Sequence, residues 1–114
     1  MPIVEISIIP LGTGSPSVSK YVASAFSVLR KEKGIKYELT SMGTIIEAPS
    51  LKKLLSIAEK MHRRVFSSGV KRVVTTIKID ERKDKKMTLE GKVASVRDKL
   101  SKGVSIKNAD KSSF

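Results

Sequence analysis

Four groups of residues have the types and spacing to do chemistry. The first is the loop Leu11-Gly12-Thr13-Gly14-Ser15-Pro16-Ser17, placed between an alternating apolar segment and a helical one. Backbone N–H groups at the start of a helix can meet an anion in such a place. The spacing matches neither the phosphate-loop pattern nor the glycine-rich dinucleotide fingerprint. A tight turn and an anion cradle both remain open readings. The second is Gly43-Thr44 with Glu47, a hydroxyl and a carboxylate on a segment that leaves a turn. Three residues apart on a regular strand, their side chains point to opposite faces. A bulge or a subunit boundary would be needed to aim both at one ligand.

The third group is His62, the single histidine. It falls beside the apolar stripe of a helix, which suits either a hydrogen-bonded structural contact or a proton-transfer role. The fourth is Asp80, Arg82 and Lys85, where an arginine could grip a carboxylate or phosphate with two N–H groups, or simply join a solvated loop. Nothing resembles a nucleophile–base pair, paired catalytic carboxylates or a metal cluster, so the expectation is no catalytic residue and no metal. With no cysteine in 114 residues, thiolate zinc sites and disulfides are excluded.

These residues must be positioned by the elements around them. Val4, Ile6 and Ile8 alternate with Glu5 and Ser7, which predicts a strand ended by Pro10. Ser17 or Ser15 then caps a helix striped by Val18, Val22, Ala25, Phe26 and Leu29, closed at Gly34. Ile35, Tyr37 and Leu39 alternate, a turn falls at Ser41-Met42-Gly43, and Thr44 to Ala48 returns as the second arm of a hairpin. Ser50 caps a second helix, striped from Leu51 to Phe66 and ended by Gly69. Residues 72–80 alternate again. The order β-α-β-β-α-β is the split βαβ, or ferredoxin-like, plan, an α+β sandwich with an antiparallel four-stranded sheet. Right-handed crossovers put both helices on one face. The other face is left open and mixed, and a face of that kind suits a partner subunit or a ligand. Thr88 starts a third helix with a narrow stripe of Leu89, Val93, Val96 and Leu100, expected to dock on this domain or a neighbour. Residues 1–103 are expected to form one domain, with 104–114 a flexible tail.

The totals bound the function. The chain carries a net charge of +12, which by itself could favour nucleic acid or anionic ligands. Yet it has only five aromatic residues counted as Phe and Tyr, no Trp, and no aromatic–basic cluster for base stacking. A generally basic surface is the better reading, and no apolar run is long enough for a membrane span. The absence of cysteine fits a cytoplasmic setting.

Taken together, the stretches Ile8-Ile9-Pro10-Leu11-Gly12-Thr13-Gly14, Ser17 to Val22, and Tyr37 to Glu47 resemble the thiamine-binding protein family related to YkoF. His62, residues 69–72, Ile79-Asp80-Glu81-Arg82 and Lys92-Val93 extend the likeness over about residues 3 to 100. The resemblance implies a ferredoxin-like fold whose subunits associate through their sheets into dimers and then tetramers. It implies non-enzymatic binding of thiamine or its hydroxymethylpyrimidine part near subunit boundaries, with no other cofactor. By motif, Thr13, Ser17, Met42, Thr44 and Glu47 are the candidate pocket residues, followed by Tyr37 and Arg82. An aminopyrimidine offers a donor and ring acceptors that hydroxyls and a carboxylate can satisfy. Two rivals stand beside this reading: a nucleic-acid-binding module, and a small hydrolase of acylphosphatase type. The latter's arginine-bearing phosphate loop is not evident after the first strand.

Overall fold

A computed structural model describes residues 1–101. The expected flexible tail therefore lies outside the described residues, Gly103 included. Four strands, β1 (Ile3–Leu11), β2 (Lys36–Leu39), β3 (Thr44–Glu47) and β4 (Arg72–Asp80), form one sheet in the order β2-β3-β1-β4. Every neighbouring pair is antiparallel. The helices are α1 (Ser19–Phe26), α2 (Leu51–Phe66) and α3 (Leu89–Ser101). This is the α+β, ferredoxin-like order that the alternation predicts.

The two-residue period of β1 divides the molecule. Val4, Ile6 and Ile8 are buried under α1 and α2, joined there by Ile46 of β3 and by Leu54, Ile57, Met61 and Val65 of α2. The register fixes the partition, since Val4 pairs with both Ile46 and Ile79, and Ile6 with both Thr44 and Ile77. Ile3, Glu5 and Ser7 point the other way. There the cross-strand rows read Lys36–Glu47–Ile3–Asp80 and Glu38–Ile45–Glu5–Lys78. That face is mixed, as its pattern implies.

Two local details depart from the sequence reading. Pro10 does not end β1; the strand continues to Leu11, with Pro10 opposite Val73. The ladder to β3 has already stopped at Ile6, so β1 is paired on one side only there, and a residue lacking a donor is tolerated. Ser17 does not cap α1 either. Val18 holds that position with no side-chain hydrogen bond, and the helix tightens after Phe26 into a 3-10 turn, Ser27–Lys31. Ser50 does cap α2, accepting from the Lys53 N–H at 3.1 Å.

Glu32, just past the 3-10 turn, clamps this segment to α2. Its carboxylate accepts from Lys60 at 2.7 Å and from Lys53 at 3.0 Å, with only 9% of the side chain exposed. The bonds from Lys60 and then Lys53 hold its carboxyl below the ordinary 4.5. Its contribution to stability is therefore complete above pH 4.5 and is lost as pH falls through the lower folded value.

Two outcomes follow. Ser50→Ala should lower stability by about 1 kcal/mol, read as a reduced urea midpoint with an unchanged slope. Glu32→Gln should cost about 1 kcal/mol at neutral pH, the lysines being half in solvent. The difference from the parent should shrink in denaturation curves taken at successively lower pH below 4.5.

Candidate functional site

The hairpin between β2 and β3 is shaped by one side chain. Thr40 Oγ donates to the Gly43 carbonyl at 2.8 Å and accepts from the Gly43 and Met42 N–H groups at 3.1 and 3.3 Å. Threonine hydroxyls commonly hold turns this way. Gly43 is needed for closeness: a Cβ there would stand 2.8 Å from the Ile6 carbonyl oxygen of β1. The turn is thereby pressed against the sheet, leaving Met42 80% exposed at its tip and Thr44 4% exposed at its base.

Between this hairpin, β1 and the first turns of α1 lies a cavity of about 270 Å³. Ile6, Ile8, Val18, Val22 and Met61 make its apolar wall, and Thr40, Ser41 and Thr44 supply hydroxyls. A mostly apolar hollow with a few placed polar groups is the usual form of a small-ligand site. Its volume sits just under the roughly 300 Å³ lower end for drug-sized ligands, and suits one substituted ring.

Among the seven residues singled out by sequence, Met42 and Thr44 line this cavity. Ser17 adjoins Val18 of its wall. Thr13 stands earlier in the same loop, its hydroxyl donating to the Ser15 carbonyl at 3.1 Å, while Ser15 Oγ accepts from the Ser17 N–H at 3.2 Å. The loop is a tight turn, with Gly12 and Gly14 at φ +75° and +76°, where a side chain would be strained. Tyr37 is on the same face but outside, its ring edge-on to Phe26 at 5.3 Å.

Glu47 and Arg82 lie elsewhere. Glu47 is on the opposite sheet face from Thr44, as the three-residue spacing requires. It is 1% exposed, and its Oε2 has no hydrogen-bond partner. A buried carboxylate oxygen without a donor is costly. Lys36 is beside it in register, its ammonium raised above the ordinary value by a 3.0 Å bond to Glu90 of α3, with Glu47 adding to the pull. Arg82 is held in two bonds by Asp84, one of 2.8 Å. The bond to Asp84 holds the arginine above its ordinary pKa, and the bond from Arg82 holds the aspartate below its own. Asp80 is paired with Lys92 rather than Arg82.

A second hollow, about 580 Å³, runs between the open face and α3. Ile3, Glu5, Ile45, Lys78 and Asp80 form its floor, with Leu89, Lys92 and Val93 above. No residue of α3 is buried; the helix is capped by Thr88, which accepts from the Gly91 N–H at 3.0 Å, and tied down by the Glu90 and Lys92 ion pairs. His62 belongs to neither hollow. Its Nδ1 meets Thr75 Oγ at 2.5 Å, and its ring stands edge-on to Phe66, joining α2 to β4. No group of His, Asp or Glu that could hold a metal occurs among the described residues, and no described helix is long and apolar enough to cross a membrane.

Sequence reasoning missed Thr40, Val22 and Met61 as cavity residues. Thr40, three residues before Gly43, carries a turn signal that could have been read. Met61 reads only as core stripe.

A ferredoxin-like sandwich with a mostly apolar cavity at its hairpin end has the form of a small-ligand site. Residues 4–97 match the family model described as thiamine-binding protein. The chain belongs to the thiamine-binding protein family. UPF0045 protein YqgV of Bacillus subtilis is 46% identical over 103 residues, covering 88% of this chain and 98% of its own. A UPF0045 protein of Methanothermobacter thermautotrophicus is 44% identical over 96 residues, covering 84% and 96%. The crystal structure of the hypothetical protein MJ1052 of Methanocaldococcus jannaschii superposes with a TM-score of 0.77 at 44% identity, covering 84% of this chain and 95% of that one.

Gly43→Ala should force the hairpin off β1 and cost about 1–3 kcal/mol, as overpacking does. Thermal unfolding checks this, with Gly91→Ala as the comparison: there the group in the way is the Thr88 side chain rather than backbone.

Proposed function

We propose that this protein binds thiamine or its hydroxymethylpyrimidine part without catalysing a reaction, acting in the cytoplasm in storage, delivery or sensing. The observation that carries the reading is the shared cavity of Met42 and Thr44, two residues of the Met-Gly-Thr motif, beside the helix that follows the Thr13–Ser17 loop. The aminopyrimidine ring lies against Ile8, Val22 and Met61, with the Met42 thioether as a soft outer wall. Thr44 and Thr40 meet its polar edge. The cavity takes one ring, so the thiazolium ring of thiamine emerges at the mouth, where a neighbouring copy in a homo-oligomer covers it. Within one chain Glu47 cannot reach that mouth, because it lies across the sheet; it acts only through a neighbouring copy.

The unpartnered Glu47 oxygen favours a second reading, in which the thiazolium cation sits on the open face. The two cross-strand rows there, with Lys92 above, hold four carboxylates (Glu5, Glu38, Glu47, Asp80) against three ammonium groups (Lys36, Lys78, Lys92). This is a locally acidic floor in a strongly basic chain.

Calorimetric titration separates the two. Thr44→Val and Met42→Ala should each weaken both thiamine and hydroxymethylpyrimidine about tenfold, near 1.4 kcal/mol, with Glu47→Gln affecting thiamine alone. If the parent gives no binding heat with either compound, or the hairpin variants bind as the parent does, the cavity reading is wrong. Loss confined to Glu47→Gln moves the ligand to the open face.

A further inference from the structure

α3 lies over the open sheet face without packing closely on it. None of its residues is buried, Val93 and Leu100 of its stripe are 42% and 46% exposed, and a hollow of about 580 Å³ stays beneath it. Its first turn is instead propped on two ion pairs. Glu90 accepts from Lys36 of β2 at 3.0 Å, and Lys92 donates to Asp80 of β4. Lys36 and Asp80 are the two ends of one cross-strand row, Lys36–Glu47–Ile3–Asp80, which runs from edge to edge of the sheet. Three strand spacings separate them, about 14 Å. The helix therefore bridges the sheet at its start, with Glu47 and Ile3 in the row between the two props. Just before it, Met87 is buried and Thr88 caps the first turn, which holds the chain at that point.

Ion pairs in solvent hold two elements together only weakly, and the Lys36 and Glu90 side chains are 64% and 60% exposed. Lys36 also has a second carboxylate beside it. Glu47 is its register partner across the β2–β3 pair, and such partners stand about 5 Å apart at Cβ. The Glu47 Oε2 is buried without a hydrogen-bond partner. A lysine that leaves Glu90 can turn to this oxygen, gaining a partner instead of water alone and relieving an unpaired buried carboxylate.

We propose that α3 is a lid on the open-face hollow, hinged at Met87 and Thr88, with Lys36 as its latch. Bonded to Glu90, Lys36 holds the lid shut; turned onto Glu47, it lets the helix lift. Lifting uncovers a floor of Ile3 and Ile45 rimmed by Glu5 and Asp80, and shutting closes that floor to other molecules. Ionic strength shifts the balance in one direction. Salt screens the exposed Lys36–Glu90 pair far more than a buried Lys36–Glu47 pair, so added salt opens the lid.

The lid needs no ligand, so the experiment is done without thiamine and stands whichever hollow takes one. The chain has no cysteine, and Ile45→Cys places a single thiol on the floor. Its rate of reaction with a bulky maleimide reports lifting. The rate should rise with sodium chloride, and Glu90→Gln should raise it about two- to fivefold at low salt. Glu47→Gln removes the latch's other seat and should slow it. Two control thiols complete the set. Ser56→Cys, exposed on α2, gives the salt dependence of the reagent itself, and Ala58→Cys, at a position 3% exposed in the core, reacts only on unfolding. An Ile45→Cys rate indifferent to salt and to Glu90→Gln overturns the proposal, as does a Glu47→Gln variant that reacts as fast as the parent or faster. An equal rise at Ala58→Cys overturns it too, since the opening is then global. So does an Ile45→Cys rate that changes with protein concentration, since the cover is then a second copy. Circular dichroism confirms that each variant keeps its helix content before rates are compared.

Discussion

Everything in this domain depends on the two-residue alternation of β1 at the centre of the sheet. Paired with β3 on one side and β4 on the other, it commits the residues of all four strands to one of two faces. Val4, Ile6 and Ile8 recruit both crossover helices, and the burial they share is the dominant stabilising term. Ile3, Glu5 and Ser7 are sent to the face that α3 only partly covers. The same alternation puts Thr44 under α1 and α2, and Glu47 away from them. A shift of register by one residue would exchange these roles and expose the core.

That dependence explains what could be read from residues alone. The strands, the hairpin, the Ser50 and Thr88 caps and the stripe of α2 all follow from local pattern and turn chemistry. The separation of Thr44 from Glu47 also follows, from a difference of three positions. Pro10 misleads because its tolerance depends on where β3 stops pairing, a fact about another segment. Ser17 misleads because Ser15 and Pro16 precede it in the loop before α1, and the local bond between the Ser17 N–H and Ser15 Oγ competes with capping. The cavity itself was only half readable. Met42 and Thr44 come from one motif, whereas Val22 and Met61 reach it from two helices whose packing no short pattern records.

The charge of the chain is distributed with less bias than its total suggests. Lys53 and Lys60 converge on Glu32, Lys92 on Asp80, and Lys36 on Glu90. Several of the basic residues thus serve to hold the 3-10 turn and α3 in place. The open face beneath α3 leans acidic. Among the described residues this distribution forms no stacked-aromatic, cation-lined track of the kind that holds nucleic acid. Because α3 is held by partly exposed ion pairs rather than burial, its hold on the sheet weakens with salt, whereas the helix-side cavity is walled by the core.

The four methionines offer the most direct test of where a ligand sits. Met42 and Met61 line the cavity between the hairpin and α1, whereas Met87 is buried beside the start of α3. With methyl-labelled methionine, titrating thiamine should displace the Met42 and Met61 resonances and leave Met87 in place. Movement of Met87 alone, or of none of them at saturating thiamine, would contradict the account.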